Sequence, residues 1–250
     1  MLVFFSVLYN PEDNALNNIR IAKSLGILPI VYLNKVEDQF LQQLLEIDIV
    51  ILGNNNNVGL GMAFYELEEY LKFVNHNYFI YFDQDTVVNQ NAWSYILDTF
   101  EIIFKTETVG LLHYGNNSKS HSKIVTSSGS LFSMSVLDKI GFHDKSYFVE
   151  GVDYEFCLRL RFYGYKIQNL MCLGVDHQSL QDVFSINFLF KTFTLREYGK
   201  NRTNDFNFSY KRLLKGSLKN HDYSFSIFLL KSIVRHNIME FVSKKFIKYK

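Results

Sequence analysis

The stretch Tyr78-Phe79-Ile80-Tyr81-Phe82-Asp83-Gln84-Asp85 decides the fold. Its unbroken apolar run has the length and character of a strand buried on both faces, and such strands belong to sheets covered by helices. The run then stops on two carboxylates one residue apart. In an open α/β sheet, ligands bind beyond the carboxyl ends of the strands, so Asp83 and Asp85 stand where a ligand would be met.

Upstream, strand and helix patterns alternate. Leu2 to Tyr9 is a nearly all-apolar strand ending at Asn10-Pro11, a turn signal. Asp13 to Leu25 reads as a helix, with Asp13 or Asn14 able to cap it, Leu16, Ile19 and Lys23 at helical spacing, and Gly26 closing it. A strand at Ile27 to Leu33, a helix at Phe40 to Leu45 and a strand at Asp48 to Leu52 follow. The turn-rich loop Asn54 to Gly61 then leads into a helix, Met62 to Val74, with Phe64, Leu67 and Leu71 on one side. Strand and helix alternating through short connections imply parallel strands and right-handed crossovers, an α/β nucleotide-binding architecture. Downstream the pattern loosens. Val109 to His113 reads as a strand, followed by a polar loop to Ser122. Ser127 to Phe132 leads into a helix at Val136 to Ile140, and a last helix, Tyr154 to Tyr163, is closed by Gly164.

Several residues in this frame carry chemistry. Asp83 and Asp85 suit Mg²⁺ or Mn²⁺, which take oxygen ligands and bridge to substrate phosphates, although the same pair also suits a solvated turn. Asp153 lies at the N-terminal edge of its helix, where it is either a cap or a general base that deprotonates an acceptor hydroxyl. Glu155 falls in the first turn, and Arg159 four residues later is placed to pair with it. His177 follows an apolar run near a strand end, as a metal ligand, a phosphate contact or a structural histidine. Arg196, Tyr198 and Arg202 form a spaced aromatic and basic set fit to grip phosphates or to line a solvated face.

These segments also stand in a recognisable order. The chain resembles the bacterial family-2 inverting glycosyltransferases of the GT-A fold, in their rhamnosyltransferase-like branch, over residues 3 to about 204. The resemblance rests on Val7-Leu8-Tyr9-Asn10-Pro11, Asn57 to Ala63 and Tyr81-Phe82-Asp83-Gln84-Asp85. It continues through Ser128-Gly129-Ser130-Leu131, Ile140 to Asp144, the stretch Phe148 to Gly164, and Arg196-x-Tyr198 with Arg202. It implies a GT-A-type, Rossmann-like, mixed but mostly parallel sheet flanked by helices. It implies a metal, Mg²⁺ or Mn²⁺, held by Asp85 with Asp83 and His177, and Asp153 as catalytic base. Tyr9, Asn10, Asn34, Asn57, Gly59, Asp83, Arg196, Tyr198 and Arg202 would meet the nucleotide sugar, and Gly129, Ser130 and Glu155 would lie on the acceptor side. The implied donor is a nucleoside-diphosphate sugar, dTDP-rhamnose ahead of a UDP-sugar, and the acceptor a glycan or lipid-linked sugar. Leu33-Asn34 stands where the family usually has Asp-Asn, and Phe156 replaces its usual tryptophan. The competing readings are a UDP-hexose transferase of the same family and a noncatalytic GT-A-like subunit that binds a glycan or serves as a scaffold.

Composition bounds the rest. The 250 residues are 48% hydrophobic and 16% aromatic, with two prolines and two cysteines, which excludes disulfide scaffolds, collagen-like chains and disorder. Cys157 and Cys172 are expected to be reduced thiols in a cytoplasmic protein. The N-terminus lacks the pattern of a signal peptide, and no window is long and apolar enough to span a bilayer. The net charge of +1 conceals an asymmetry, because residues 191–250 hold 14 of the 26 Lys and Arg but 4 of the 25 Asp and Glu. We therefore expect a catalytic domain at 1–190, its nucleotide-sugar half at about 1–112 and its acceptor half at 113–190, and a basic, aromatic, helical extension at 191–250. The extension fits either peripheral contact with the inner face of the plasma membrane or packing on the domain. No nucleic-acid motif accompanies it.

Overall fold

The computed structural model describes residues 1–105, 108–116, 123–177, 183–188, 191–196 and 199–247. The chain divides into two compact units, Met1–Gln178 and Ser179–Lys250.

The first unit opens with β1 (Leu2–Tyr9), α1 (Asp13–Ser24), β2 (Leu28–Lys35), α2 (Asp38–Leu45), β3 (Val50–Leu52), α3 (Leu60–Phe73) and β4 (Tyr78–Tyr81). Next come β5 (Thr86–Val88), α4 (Gln90–Phe104), β6 (Val109–Gly115), β7 (Ser130–Ser133) and α5 (Met134–Ile140). The unit finishes with α6 (Val152–Phe162), β8 (Lys166–Met171) and β9 (Val175–His177). Seven strands form one mixed, mostly parallel sheet in the order β3-β2-β1-β4-β7-β6-β8. The β3, β2, β1 and β4 pairings are parallel, β7 is antiparallel to both β4 and β6, and β8 returns parallel to β6. This is the fold class that the alternating pattern and the family resemblance imply.

Side chains alternate across the sheet and build a core on each face. On one face Phe4 and Phe82 meet Trp93 of α4 edge-on, each with ring centroids 5.4 Å apart, among buried residues of α1 and α2. On the other, Phe5, Tyr81 and Phe132 close around Phe64 of α3, 4.8 to 5.7 Å from its ring. Each fully buried large side chain contributes roughly 1.5–3 kcal/mol.

Several elements differ from the sequence reading. α1 is preceded by Glu12 in the N-cap position, with no side-chain cap, rather than by Asp13 or Asn14. The N-cap of α6 is Gly151, held at φ +83°, so Asp153 lies inside the first turn and does not cap the helix. α4 carried a legible signal: Asn89 caps it by accepting from the Ala92 N–H at 2.9 Å, and Trp93, Ile96 and Phe100 are buried at helical spacing. β7 is only four residues long, all buried, and its Ser-Leu-Phe-Ser pattern follows neither period clearly.

In the second unit, β10 (Val183–Phe188) and β11 (Lys191–Arg196) form an antiparallel hairpin, followed by α7 (Lys200–Lys219) and α8 (Tyr223–Ile247). Residues 191–196, read as the start of a helical extension, are thus a strand, in keeping with the alternating Thr and apolar residues of Lys-Thr-Phe-Thr-Leu-Arg. Phe206, Tyr210 and Leu213 of α7 and Phe225 and Leu229 of α8 are buried. Among the described residues, no helix is long and apolar enough to cross a membrane.

Candidate functional site

Beyond β4 the chain stays beside β1 for one more residue, the Phe82 N–H donating to Phe5 O at 3.1 Å. It then turns sharply, with the Thr86 N–H donating to Asp83 O at 3.0 Å. That turn brings the side chains of Asp83 and Asp85 together. β5 pairs antiparallel with β9, and its register sets Thr86 opposite His177. The His177 Nδ1 lies 3.4 Å from Asp85 Oδ1 and 4.0 Å from Asp83 Oδ2. Ligand atoms of Asp83, Asp85 and His177 all lie within 4.8 Å of one another. The Asp83 and Asp85 pair and the distant His177, which the family resemblance groups around a metal, thus meet in space. Two like-charged carboxylates and one imidazole held this close make a donor set for a divalent cation such as Mg²⁺ or Mn²⁺.

Neighbouring hydroxyls hold the cluster in place. The Tyr81 hydroxyl donates to Asp83 Oδ1 at 2.6 Å. Burial, then the charge of Asp83, pushes the Tyr81 phenol well above its ordinary range, so it remains a donor. Ser128 Oγ accepts from the Asp83 backbone N–H at 3.0 Å and lies 2.9 Å from Thr86 Oγ1, which is 3.0 Å from His177 Nδ1. Tyr81, Thr86 and Ser128 as supports were not identified from the sequence. Ser128 sat inside a quoted motif, but only the fold shows that it faces the Asp83 turn.

Asp153 stands on the first turn of α6, half-buried, with the Tyr154 N–H donating to its Oδ1 at 3.0 Å. Burial lifts its carboxyl from 3.8 to about 7; the Tyr154 N–H opposes the rise, and the charges of Glu150 and Asp83 add to it. Tyr81 feels the carboxylates of Asp83, Asp85 and Asp153 together. The two acidic motifs therefore act on one region at the end of β4. A carboxyl poised near neutrality is suited to taking a proton at physiological pH.

At the end of β1, Tyr9 and Gln84 are tied reciprocally. The Tyr9 N–H donates to Gln84 Oε1 at 2.7 Å, and Gln84 Nε2 donates to Tyr9 O at 2.8 Å. The exposed Tyr9 ring lies 5.8 Å from Lys35 Nζ. Asn10, at φ +46°, borders a cleft of about 280 Å³ lined also by Pro11, Asp13, Glu37 and Phe40. Asn34 is buried, its Oδ1 accepting from the Val58 N–H at 3.1 Å, and Asn57 Oδ1 accepts from the Gly59 N–H at 3.2 Å. These two asparagines shape the loop into α3. Gly59 has φ +84°, and a Cβ there would come within 2.4 Å of Phe148 O, so this loop lies directly against the segment leading to α6.

The other residues singled out take supporting places. A Cβ on Gly129, at φ +85°, would meet Tyr114 O at 2.3 Å. Ser130 is buried and its hydroxyl donates to Thr126 O at 2.6 Å. Glu155 accepts from Arg159 Nε and Nη2 at 2.8 and 2.9 Å, the helical pair expected from their spacing. Cys157 and Cys172 are free and buried. Burial pushes the Cys157 thiol to about 12 and that of Cys172 to about 11, so both are inert. Arg196 lies on β11 and Arg202 in the first turn of α7, both in the second unit. Tyr198 lies outside the described residues.

No protein-family model matches the chain, and comparison with curated protein sequences finds no match. Solved structures do match in fold. Residues 1–349 of Staphylococcus aureus TarS superpose with a TM-score of 0.50 at 14% identity, covering 68% of this chain and 57% of that one. The same TarS segment in complex with UDP-GlcNAc gives a TM-score of 0.52 at 13% identity over 87% of this chain and 66% of that one. A longer S. aureus TarS structure gives 0.53 at 12% identity, covering 70% of this chain and 36% of that one. The chain thus spans less than two thirds of the length of these structures. The likeness shows the fold, a GT-A-like mixed α/β architecture.

Proposed function

We propose that the chain is a divalent-metal-dependent, inverting glycosyltransferase that moves a sugar from a nucleoside diphosphate to a glycan or lipid-linked acceptor. The observation that carries this reading is the meeting of Asp83, Asp85 and His177 beside Asp153, whose carboxyl is raised to about 7 within the field of Asp83. A Mg²⁺ or Mn²⁺ ion there would offset the negative charge that develops on the departing diphosphate. The donor set fits such an ion, because Tyr81 already holds the Asp83 carboxylate and Ser128 the backbone N–H that carries it.

The chain's own groups supply the remaining chemistry. The nucleotide would lie along Tyr9 and Asn10, with its base toward the cleft beside Pro11 and Phe40. Asp153 takes the proton from the acceptor hydroxyl while that oxygen attacks the anomeric carbon opposite the diphosphate. The new glycosidic bond forms as the sugar–phosphate bond breaks, and the configuration inverts. One carboxylate suffices for a single displacement, and no protein nucleophile is required. The resemblance favours rhamnose on dTDP; the UDP-GlcNAc bound to the TarS segment makes a UDP-sugar the alternative to test beside it. A purely binding subunit would have no use for a half-buried carboxyl tuned to neutrality beside a cation site.

In the second unit, Ile227, Leu230, Val234, Ile238 and Phe241 are exposed along α8 with Lys231 and Arg235 between them. This supports contact with an anionic membrane surface that carries the acceptor. Release of nucleoside diphosphate from dTDP-rhamnose and UDP-GlcNAc with Mn²⁺ tests the reaction. Wild-type release abolished by both Asp85→Ala and Asp153→Asn supports the assignment, whereas release insensitive to Asp153→Asn removes the base.

A further inference from the structure

His177 reaches the acidic pair on a piece of structure too small to stand by itself. β5 and β9 are three residues each and form a two-stranded ribbon outside the seven-stranded sheet. A lone two-stranded ribbon is marginally stable at best, even when longer than this. The register that sets Thr86 opposite His177 therefore needs support from outside the ribbon. On the β9 side, Asn116 Nδ2 donates to Val175 O at 3.1 Å, and the Asn89 N–H donates to Gly174 O at 3.0 Å.

On the β5 side the support is one buried side chain that has no role in the steps above. Asn18, on α1, is 2% exposed. Its Oδ1 accepts from the Val88 N–H at 3.1 Å, and its Nδ2 donates to Thr86 O. The carboxamide thus supplies one acceptor and one donor to β5, as a residue of an adjoining strand would. It is firmly mounted, because Ala15, Leu16, Ile19 and Ala22 of the same helix are packed in the core. Helix propensity and burial would both choose leucine at such a position. What the asparagine adds is direction. It fixes the backbone of Thr86, and the Thr86 hydroxyl lies 3.0 Å from His177 Nδ1. A line of contacts runs from α1 through Thr86 to the imidazole.

We propose that Asn18 is a positioning residue for the cation site: by fixing the β5 backbone it keeps His177 within reach of an ion held by Asp83 and Asp85. This rests on those three residues being the cation site. Asn18 touches neither the ion nor the sugar nucleotide, and acts through Thr86 and His177 alone.

Mn²⁺ titration of the full chain by calorimetry, with no sugar nucleotide present, tests this through a double-mutant cycle. His177→Ala measures what the imidazole adds to the affinity. Asn18→Leu keeps the branched shape of the side chain and removes both of its polar atoms. It should weaken Mn²⁺ binding roughly 10-fold, as for residues that orient metal ligands. The Asn18→Leu/His177→Ala variant should bind no more weakly than His177→Ala alone, whereas general damage to the fold would add to the loss. Pulsed EPR of the bound Mn²⁺ should show imidazole-nitrogen coupling in the wild type and lose it in Asn18→Leu. Unchanged affinity in folded Asn18→Leu, undiminished nitrogen coupling, or additive losses in the double variant would each overturn the positioning role and leave the cation site in place. Where Asn18→Leu does not fold, Asn18→Ser, which leaves space for water against Thr86 O and the Val88 N–H, takes its place and is judged by the same results. A Mn²⁺ affinity altered by neither His177→Ala nor Asp85→Ala removes the cation site and the positioning role together.

Discussion

Replacing Asp153 by asparagine should stabilise the first unit while destroying its chemistry. Burial lifts the carboxyl from 3.8 to about 7, so the folded state holds its proton where the unfolded chain has lost it. Below about pH 4 both states are protonated and the group has no net effect. Between about 4 and 7 the unfolded state releases its proton first, so stability falls as pH rises, and above 7 the whole penalty is present. Three pKa units at about 1.4 kcal/mol each set an upper bound of roughly 4 kcal/mol. The side chain is only half-buried, and solvent screening brings the expected figure to about 2 kcal/mol. Asparagine keeps an oxygen for the Tyr154 N–H and carries no charge, so Asp153→Asn should gain that amount at pH 8 and nothing at pH 4. Urea unfolding followed by the fluorescence of Trp93, the single tryptophan and part of this unit's core, reads the right unit. Parallel stability–pH curves for wild type and variant would refute the reasoning.

Ser128→Ala removes the hydroxyl that accepts from the Asp83 N–H, and Mn²⁺ affinity by calorimetry should weaken roughly 10-fold with the fold intact. Gly59→Ala forces a Cβ to within 2.4 Å of Phe148 O at φ +84°, so the unfolding free energy from urea titration should drop by more than about 1 kcal/mol. Arg159→Ala leaves Glu155 unpaired and two carbonyls without their donor, a loss of about 2 kcal/mol in the same assay. Sedimentation with anionic vesicles should pull down the full chain at low salt and release it at high salt, while neutral vesicles leave it in solution.

How legible the fold was depends on how far each element's partners lie along the chain. β1 coincides with the apolar run Leu2 to Tyr9, and α3 and β4 fall within a residue or two of their patterns, because burial on a parallel sheet writes itself into local sequence. β7 left little trace, since four residues inserted antiparallel between β4 and β6 owe their conformation to strands far away in sequence. The Asp83 and Asp85 pair could be read directly, and the structure sets His177 beside it. Ser128 and Thr86 could not be read as supports, because serine and threonine beside a turn look like any loop. Asn18 was hidden for a different reason: an asparagine on a helix is ordinarily solvated, and only the packed structure shows it enclosed against β5.

Titration of sugar nucleotide into the protein with and without Mn²⁺ tests the central claim most directly. The account predicts that dTDP-rhamnose or UDP-GlcNAc binds only with the metal present, and that Asp85→Ala abolishes this binding without unfolding the chain. Equal binding with and without metal, equal binding by Asp85→Ala, or no binding of either donor by the folded protein would contradict it.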